Sequence, residues 1–358
     1  MEPIDKADHD AVDPAALMTI DEFEAVARKT LEPSVYDYVA GGAGNEDSVE
    51  HNRRALGRWR IRPRMLVDLS HLDPSISLLG DDLASPLLLA PSALHRLAHP
   101  DGELATAHAA KRAGVGMILS MNASTALEDV AAVGATTWFQ LYLYRDRQVT
   151  IDLLARAEAA GCRAICLTVE HPGMPWRVRE LRQPLRIPPG AEFVHLPPER
   201  RGPEDLEPNL TWDLVEWLRD ATSLRIALKG ILDPEDARLA AELGVDAIVV
   251  SNHGGRQMSG SVAAWDVLPQ VAAAVDGRCS LLADGGVRTG VDVFRAIALG
   301  ADAVLIGRPV VWGLAAAGEA GVAQIIRLLH DEFVSILGST GCPTPDRIHP
   351  GMLVDIGT

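Results

Sequence analysis

The sequence predicts an α/β protein, a (β/α)8 barrel with a helical segment before it and a long loop after its fourth strand. Eight short apolar runs recur, and stretches with helical periodicity separate most of them. Eight strand–helix units in about 250 residues are typical of this barrel. The apolar runs occupy residues 87–93, 116–120, 138–142, 164–170, 225–231, 247–253, 280–286 and 303–309.

The expected helix ends support this alternation. Asp233 is suited to cap a helix that begins with Pro234, because its carboxylate can accept from the first free backbone N–H groups. Glycines stand where four helices should end, directly before the next apolar run. They are Gly114, Gly161, Gly244 and Gly300.

A doubly wound open sheet is the competing α/β architecture, and it often carries a glycine fingerprint after its first strand. The first predicted strand ends in Ala90-Pro91-Ser92-Ala93 without that fingerprint, which favours the barrel. We expect residues 1–18 to be a flexible acidic tail and 19–358 a single barrel domain. The proline-rich interval between 170 and 225 is either an excursion over the barrel mouth or a disordered surface insertion.

Composition excludes several classes of function. The 358 residues include 33 Lys and Arg against 49 Asp and Glu, a formal charge of −16, so neither nucleic acid nor an anionic membrane is an expected partner. No membrane-spanning run or secretory signal is recognisable, and we expect a cytoplasmic protein. The cysteines are expected to be reduced core thiols, and no metal site is predicted. They are Cys162, Cys166, Cys279 and Cys342.

Polar side chains gather where the predicted strands end, which in a barrel is one rim and the usual place of the active site. They are Ser92, Ser120, Gln140, Tyr142, Thr168, Glu170, Lys229, Ser251, Asn252, His253, Asp284 and Arg308, the last of which follows Gly307. Lys229 follows an apolar run, where an unpaired ammonium would be costly. It can form a Schiff base, hold a phosphate, place a cation beside an electron-accepting cofactor, or extend to solvent as a structural lysine.

The heptad 251–257, Ser-Asn-His-Gly-Gly-Arg-Gln, is the most informative segment. His253 can take a proton near neutral pH, and Arg256 can bind a carboxylate with two parallel hydrogen bonds. Together they suit an acid that is deprotonated at its α-substituent. The segments 284–288 and 306–309 combine glycines with arginines after the last two strands, the usual phosphate site of such barrels.

These residues resemble the FMN-dependent α-hydroxy acid oxidase and dehydrogenase family, which includes glycolate oxidase, lactate oxidase and mandelate dehydrogenase. The resemblance runs from about residue 23 to 341, and the heptad is its most specific motif. Further motifs follow in family order: Val-Tyr-Asp-Tyr at 35–38, Ala-Pro-Ser-Ala at 90–93, His-Pro-Asp-Gly-Glu at 99–103, Phe-Gln-Leu-Tyr at 139–142, Leu-Lys-Gly at 228–230 and Asp-Gly-Gly-Val-Arg at 284–288.

The resemblance implies a role for each matching position. His253 would be the base, with Glu170 behind it, and Lys229 would lie beside the flavin. Substrate contacts would come from Tyr38, Asn122, Tyr142, Arg177 and Arg256. FMN contacts would come from Pro91, Ser92, Ala93, Ser120, Gln140, Thr168, Lys229, Ser251, Asp284, Gly286, Arg288, Gly307 and Arg308. The implied reaction converts an (S)-2-hydroxy acid to a 2-oxo acid, by hydride transfer or through a carbanion.

Three departures from the family pattern bear on this prediction. Glu170 stands where the family has Asp, and Trp176-Arg177 retains one of two arginines. Met121-Asn122 replaces an aromatic residue of glycolate oxidase, which predicts a pocket for a substrate bulkier than glycolate.

Several functional alternatives stay open at the level of sequence. O2 is the expected electron acceptor, giving H2O2, and a dehydrogenase with another acceptor is the alternative. A Schiff-base lyase using Lys229 and a catalytically inactive binding barrel are the others. The resemblance also implies a homotetramer.

Overall fold

Eight parallel strands form a closed barrel in the computed structural model, which describes residues 12–170, 173, 175–197, 199 and 202–357. Each strand pairs with its neighbours in chain order, and the last pairs with the first through Val304–Leu87 and Ile306–Leu89. The predicted (β/α)8 fold is confirmed. The barrel strands are β4 Leu87–Leu89, β5 Gly116–Ser120, β6 Thr137–Leu141, β7 Ala164–Thr168, β8 Arg225–Ile231, β9 Ala247–Val250, β10 Ser280–Asp284 and β11 Ala303–Ile306.

Several strands end earlier than the sequence predicted. β4 ends at Leu89 instead of residue 93, and β9 ends at Val250 instead of 253. The polar tips of the apolar runs are loops, because Pro91 and the glycines after His253 interrupt regular pairing. These tips therefore extend beyond the barrel rim, where they are available for a site.

A hairpin of β2 Ile76–Leu78 and β3 Asp81–Leu83 closes the opposite, N-terminal end of the barrel. Its two-residue turn has positive φ at both Leu79 and Gly80, the conformation of the tightest hairpins. Leu78 and Leu83 pack onto the apolar interior of the barrel. The hairpin therefore covers this end of the barrel, and the polar tips of the strands lie at the opposite, C-terminal rim.

Helices surround the barrel and bury their apolar faces against its outer surface, which forms the larger core. The barrel helices are α4 Gly102–Ala113, α5 Leu127–Ala132, α6 Arg147–Ala159, α8 Trp212–Ala221, α9 Pro234–Glu242, α10 Ala264–Val275, α11 Gly290–Ala298 and α12 Arg308–Thr340. The predicted caps are confirmed: Asp233 accepts from Glu235 N at 2.8 Å, and the four C-terminal glycines all have positive φ. The kinked α12 is long and apolar enough to cross a bilayer, yet most of its apolar stretch is buried within this protein.

The segment before the barrel holds α1 Ile20–Thr30, α2 Pro33–Ala40 and α3 Asp47–Gly57. A capping box between Thr19 and Glu22 starts α1. β1 Trp59–Ile61 pairs antiparallel with β12 Leu353–Asp355 and ties this segment to the other end of the chain. Of the predicted tail, residues 1–11 lie outside the described residues, and the division into tail and single domain stays a prediction.

The long loop after β7, the fourth barrel strand, lies over the barrel mouth as predicted. It contains α7 Val178–Arg182, and its backbone bridges the segment before α3 through Gly44 and Arg177. Leu206 of the same loop pairs with Tyr144 after β6. These contacts favour the excursion over the disordered insertion for the described part of the loop.

Candidate active site

A cavity of about 410 Å³ opens at the C-terminal rim, within the size range of small-molecule sites. Residues from the tips of the barrel strands form its floor, and α2 and the long loop supply its outer wall. Its wall carries five basic side chains but only two carboxylates, in a chain whose net charge is −16. The cavity is therefore an anion-binding site on an acidic protein.

Lys229 at the end of β8 is buried between two carboxylates. Its Nζ lies 3.1 Å from Glu170 Oε1 and 3.3 Å from Asp284 Oδ2, and it donates to Ser251 Oγ at 2.8 Å. Ser251 Oγ in turn donates to Asp284 Oδ1 at 2.6 Å. Burial favours the neutral amine, but Asp284 and Glu170 outweigh it and raise the pKa of Lys229. The side chain is therefore a fixed cation at the cavity wall.

His253 is held in one tautomer by the same network. Its Nδ1 lies 2.8 Å from Glu170 Oε1, and its backbone N donates to Ser251 Oγ at 3.0 Å. Because Nδ1–H donates to the carboxylate, Nε2 keeps its lone pair and is the basic atom of the ring. A Cβ on Gly230 would overlap the Glu170 carboxylate, so glycine at that position makes room for the longer side chain.

The electrostatics of this pair suit proton transfer. Burial, followed by the charge of Lys229, lowers the pKa of His253, although Glu170 acts in the opposite direction. Burial opposes ionisation of Glu170, but Lys229 and the hydrogen bond from His253 lower its pKa to about 2. At neutral pH a neutral imidazole thus faces the cavity with an ionised carboxylate behind it, the arrangement of a general base.

Three buried side chains from neighbouring strands form a polar ladder along another wall. Gln140 accepts from Ser120 Oγ at 3.1 Å and donates through Nε2 to Thr168 Oγ1 at 3.1 Å. Tyr142 lies two residues beyond Gln140, and burial raises the pKa of its phenol. The ladder fixes the side-chain amide of Gln140, so that wall presents hydrogen-bonding groups with set directions.

Two arginines from different parts of the chain meet at the outer wall. Arg177 Nε donates to the backbone oxygen of Arg256 at 3.1 Å. Arg256 donates through Nη1 to Gly41 O at 3.0 Å, and its guanidinium lies 5.0 Å from the Tyr38 ring centre. Glu180 Oε1 lies 2.9 Å from Arg177 Nη1 and 3.4 Å from Arg256 Nη2. The two guanidinium groups are thus fixed side by side.

The turn that carries His253 depends on close backbone packing. His253, Gly254 and Gly255 all have positive φ, which is strained for the histidine and permitted for the glycines. A Cβ on Gly255 would lie 2.7 Å from Val49 N in α3. Asn52 of α3 exchanges two amide hydrogen bonds with Asn252, at 2.8 and 2.9 Å. α3 therefore sets the position of the histidine turn.

Comparisons with known proteins agree with this geometry. A model of the family described as FMN-dependent dehydrogenase matches residues 27–355. The chain belongs to the FMN-dependent dehydrogenase family.

Individual members of the family are similar over nearly their whole length. The L-lactate oxidase of Nostoc sp. is 46% identical over 341 residues, which cover 90% of this chain and 93% of that protein. The 4-hydroxymandelate oxidase of Amycolatopsis orientalis is 44% identical over 338 residues, covering 91% and 95%. The crystal structure of mandelate oxidase superimposes with a TM-score of 0.90 at 43% identity, covering 94% of this chain and 98% of that one.

The cofactor of this family, FMN, fits the residues present. Burial and neighbouring arginines lower the pKa of Arg288 to about 10 and of Arg308 to about 9. Among the described residues both guanidinium groups donate to backbone oxygens and neither pairs with a carboxylate, and Arg288 Nε is buried without a hydrogen-bond partner. Such buried, uncompensated guanidinium groups need an anion, and the FMN phosphate supplies one. The polar ladder offers the donors and acceptors that a flavin ring requires.

The structure brings together the side chains that the sequence indicated. All the predicted site residues line the cavity except Glu170 and Ser251, which lie behind its wall and bond to Lys229 and His253. Their individual contacts with FMN and substrate stay predictions. Sequence reasoning missed Glu180 and Phe193 in the cavity wall, Asn52 beneath the histidine turn, and Trp312, whose ring lies 4.8 Å from the Arg288 guanidinium.

The spacing of Glu180, three residues after Arg177 in a short helical run, was a signal for an ion pair that sequence reasoning passed over. The lyase alternative loses its support in this site. A Schiff-base lysine must be a neutral amine, whereas Lys229 lies between two carboxylates that hold its proton.

Proposed function

We propose that this flavoprotein oxidises an (S)-2-hydroxy acid bulkier than glycolate to the 2-oxo acid, with O2 as the acceptor and H2O2 as the second product. One observation carries the proposal. The basic histidine His253 and the paired arginines Arg177 and Arg256 line the same cavity as the FMN-binding residues. A base, a carboxylate-binding pair and a flavin on one cavity are the requirements for oxidation next to a carboxylate.

Each side chain then has a task. Arg177 and Arg256 bind the substrate carboxylate and fix the orientation of the α-carbon. His253 takes one substrate proton at Nε2, and the resulting imidazolium is stabilised by Glu170 at 2.8 Å from Nδ1. Lys229 is a fixed cation that favours negative charge nearby. When bound, FMN supplies the two-electron acceptor, and the overall balance is one hydroxy acid plus O2 giving one oxo acid plus H2O2.

The residues after the second barrel strand support a larger substrate. Asn122 lines the cavity together with Phe193 from the long loop, so the wall combines an amide with an aromatic ring. This lining suits a polar or aromatic substituent on the α-carbon. Similar proteins include a 4-hydroxymandelate oxidase as well as a lactate oxidase.

Anaerobic flavin reduction across a panel of 2-hydroxy acids tests this function. We expect slow reduction by glycolate and faster reduction by larger side chains, followed by reoxidation and H2O2 release when air is admitted. Fastest turnover on glycolate would remove the size argument, and reoxidation that needs an acceptor other than O2 would make the protein a dehydrogenase.

The variant His253→Gln tests the base. We expect it to keep FMN bound and to lose reduction by substrate, because its amide cannot take a proton. Unimpaired reduction would remove His253 from the mechanism.

We also propose a cytoplasmic homotetramer. An exposed apolar segment at Met65–Val67, where Leu66 is fully exposed, supports association because contiguous exposed apolar residues are typical of protein–protein contacts. Light scattering after size exclusion tests the assembly, and a monomer at micromolar concentration would contradict it.

A further inference from the structure

One carboxylate in the cavity wall has no part in the chemistry described so far. Glu180 lies on α7 and contacts Arg177 Nη1 with both of its oxygens, at 2.9 and 3.2 Å. Its Oε1 also lies 3.4 Å from Arg256 Nη2. The side chain of Glu180 is 23% exposed, and those of the arginines are 15% and 14% exposed. The three charged groups are thus largely shielded from water.

The charge count at this wall is informative. Two guanidinium groups face one carboxylate, so the group of Arg177, Arg256 and Glu180 carries one net positive charge. A single substrate carboxylate brings this group to neutrality. A second carboxylate on the substrate would then find no cation at this wall that is still unpaired. Removing such an unpaired charge from water is costly in free energy.

Within the described lining of the cavity, the other cations are already compensated. Lys229 is already held between Glu170 and Asp284, so that group is itself negative. Arg288 and Arg308 have no carboxylate partners among the described residues, and the FMN phosphate uses their charge. Glu180 is therefore the carboxylate that lowers the net charge of the outer wall from two positive charges to one.

We propose that Glu180 is a specificity-determining residue that restricts this enzyme to 2-hydroxy acids with one carboxylate. The proposal rests on the proposed function and deepens it, because it names the charge of the substrate. Neutralising Glu180 leaves two positive charges at the outer wall, which then compensate both carboxylates of a 2-hydroxy dicarboxylate.

The test compares (S)-malate with its 4-amide, which has nearly the same shape and one negative charge less. We expect the native enzyme to prefer the amide in kcat/KM by at least about tenfold, since like charges within a few ångströms repel strongly in a shielded site. In Glu180→Gln this preference should fall about tenfold. Both rates come from the same enzyme stock, so a partly inactive variant does not distort the ratio.

A matched control separates charge specificity from loosening of the long loop. Arg179, the residue before Glu180, pairs with Asp37 at 3.3 Å on the side of α7 away from the cavity lining. Asp37→Asn removes one carboxylate from an arginine of the same helix, yet Asp37 is outside that lining. We expect Asp37→Asn to change the malate-to-amide ratio by less than twofold, even if it lowers both rates.

An equilibrium measurement covers the case in which Glu180→Gln does not turn over. Succinate and its monoamide have no α-hydroxyl to oxidise, and we expect their binding beside FMN to perturb the flavin absorbance. We expect the dissociation constant of succinate, relative to the monoamide, to fall about tenfold in Glu180→Gln. The inference is overturned if Glu180→Gln leaves this ratio, or the kinetic one, within twofold of the native value. Failure of every 2-hydroxy acid to reduce the flavin would instead overturn the proposed function. The ratio of the two dissociation constants does not depend on flavin reduction, so the two failures can be told apart.

Discussion

The carboxylate behind the base offers the sharpest test of the mechanism. Glu170 Oε1 lies 2.8 Å from His253 Nδ1, and the charge centres of a carboxylate and an imidazolium in such contact are about 4 Å apart. At an effective dielectric constant of about 20, this pair is worth about 4 kcal/mol. Because the imidazolium exists only after proton transfer, the variant Glu170→Gln should lower the rate of flavin reduction by about 10³-fold.

Glu170→Asp is the matched control, because it keeps the charge and shortens the side chain by one methylene. We expect it to retain the rate within about tenfold, since an ionised carboxylate still stands behind the imidazole and can accept from Nδ1. Anaerobic stopped-flow absorbance at saturating substrate measures the reduction step alone, and flavin content checks that each variant is loaded. A Glu170→Gln rate within tenfold of the native enzyme would show that Glu170 does not stabilise the imidazolium.

Three further outcomes follow from the same geometry. Burial lowers the pKa of His253, so the rate of flavin reduction should rise with pH through a midpoint below the usual 6.5 and be level at neutral pH. A midpoint above 6.5 would contradict a buried neutral base. Arg288→Met should weaken FMN binding at least about tenfold in a flavin-release assay. The control Arg327→Gln, which changes an exposed ion-pair residue on α12, should leave FMN binding unchanged. Equal effects of the two variants would remove Arg288 from the phosphate site. Gly255→Ala should lower the free energy of chemical unfolding by more than about 3 kcal/mol. Gly161 has nearly the same φ but open space around it, so Gly161→Ala should lower that free energy by about 1 kcal/mol. Similar losses for the two variants would refute the packing argument.

The barrel and most of the cavity wall were predictable from local sequence. Each apolar run ends in a polar tip, and parallel strands of a barrel bring such tips to one rim. His253, Lys229 and Asp284 were found in this way, and the structure places them in one network. The predicted strands extended too far toward the C-terminus. The sequence of one strand does not show where pairing with its neighbour stops, so a polar loop residue cannot be distinguished from the last residue of the strand.

Other parts of the site depend on contacts that no local pattern encodes. Asn52 lies in a helix 200 residues before its partner Asn252, so nothing in either segment indicates the amide pair. The i,i+3 spacing of Arg177 and Glu180 indicates their ion pair, but nothing in this proline-rich loop indicates that the pair faces the cavity; that placement follows from docking against the segment before α3. Trp312 reads as an ordinary apolar residue of α12 until Arg288 is seen above its ring.

The pairing of β11 with β4 has a consequence for how the protein is made. Leu87–Leu89 has one neighbouring strand as soon as β5 is synthesised, but its other neighbour, Ala303–Ile306, is translated only after most of the chain. Ser92 and Arg308 therefore cannot lie in one cavity before α12 has been synthesised. We therefore expect FMN to bind late in biogenesis, and a ribosome-stalled product ending before β11 to be colourless.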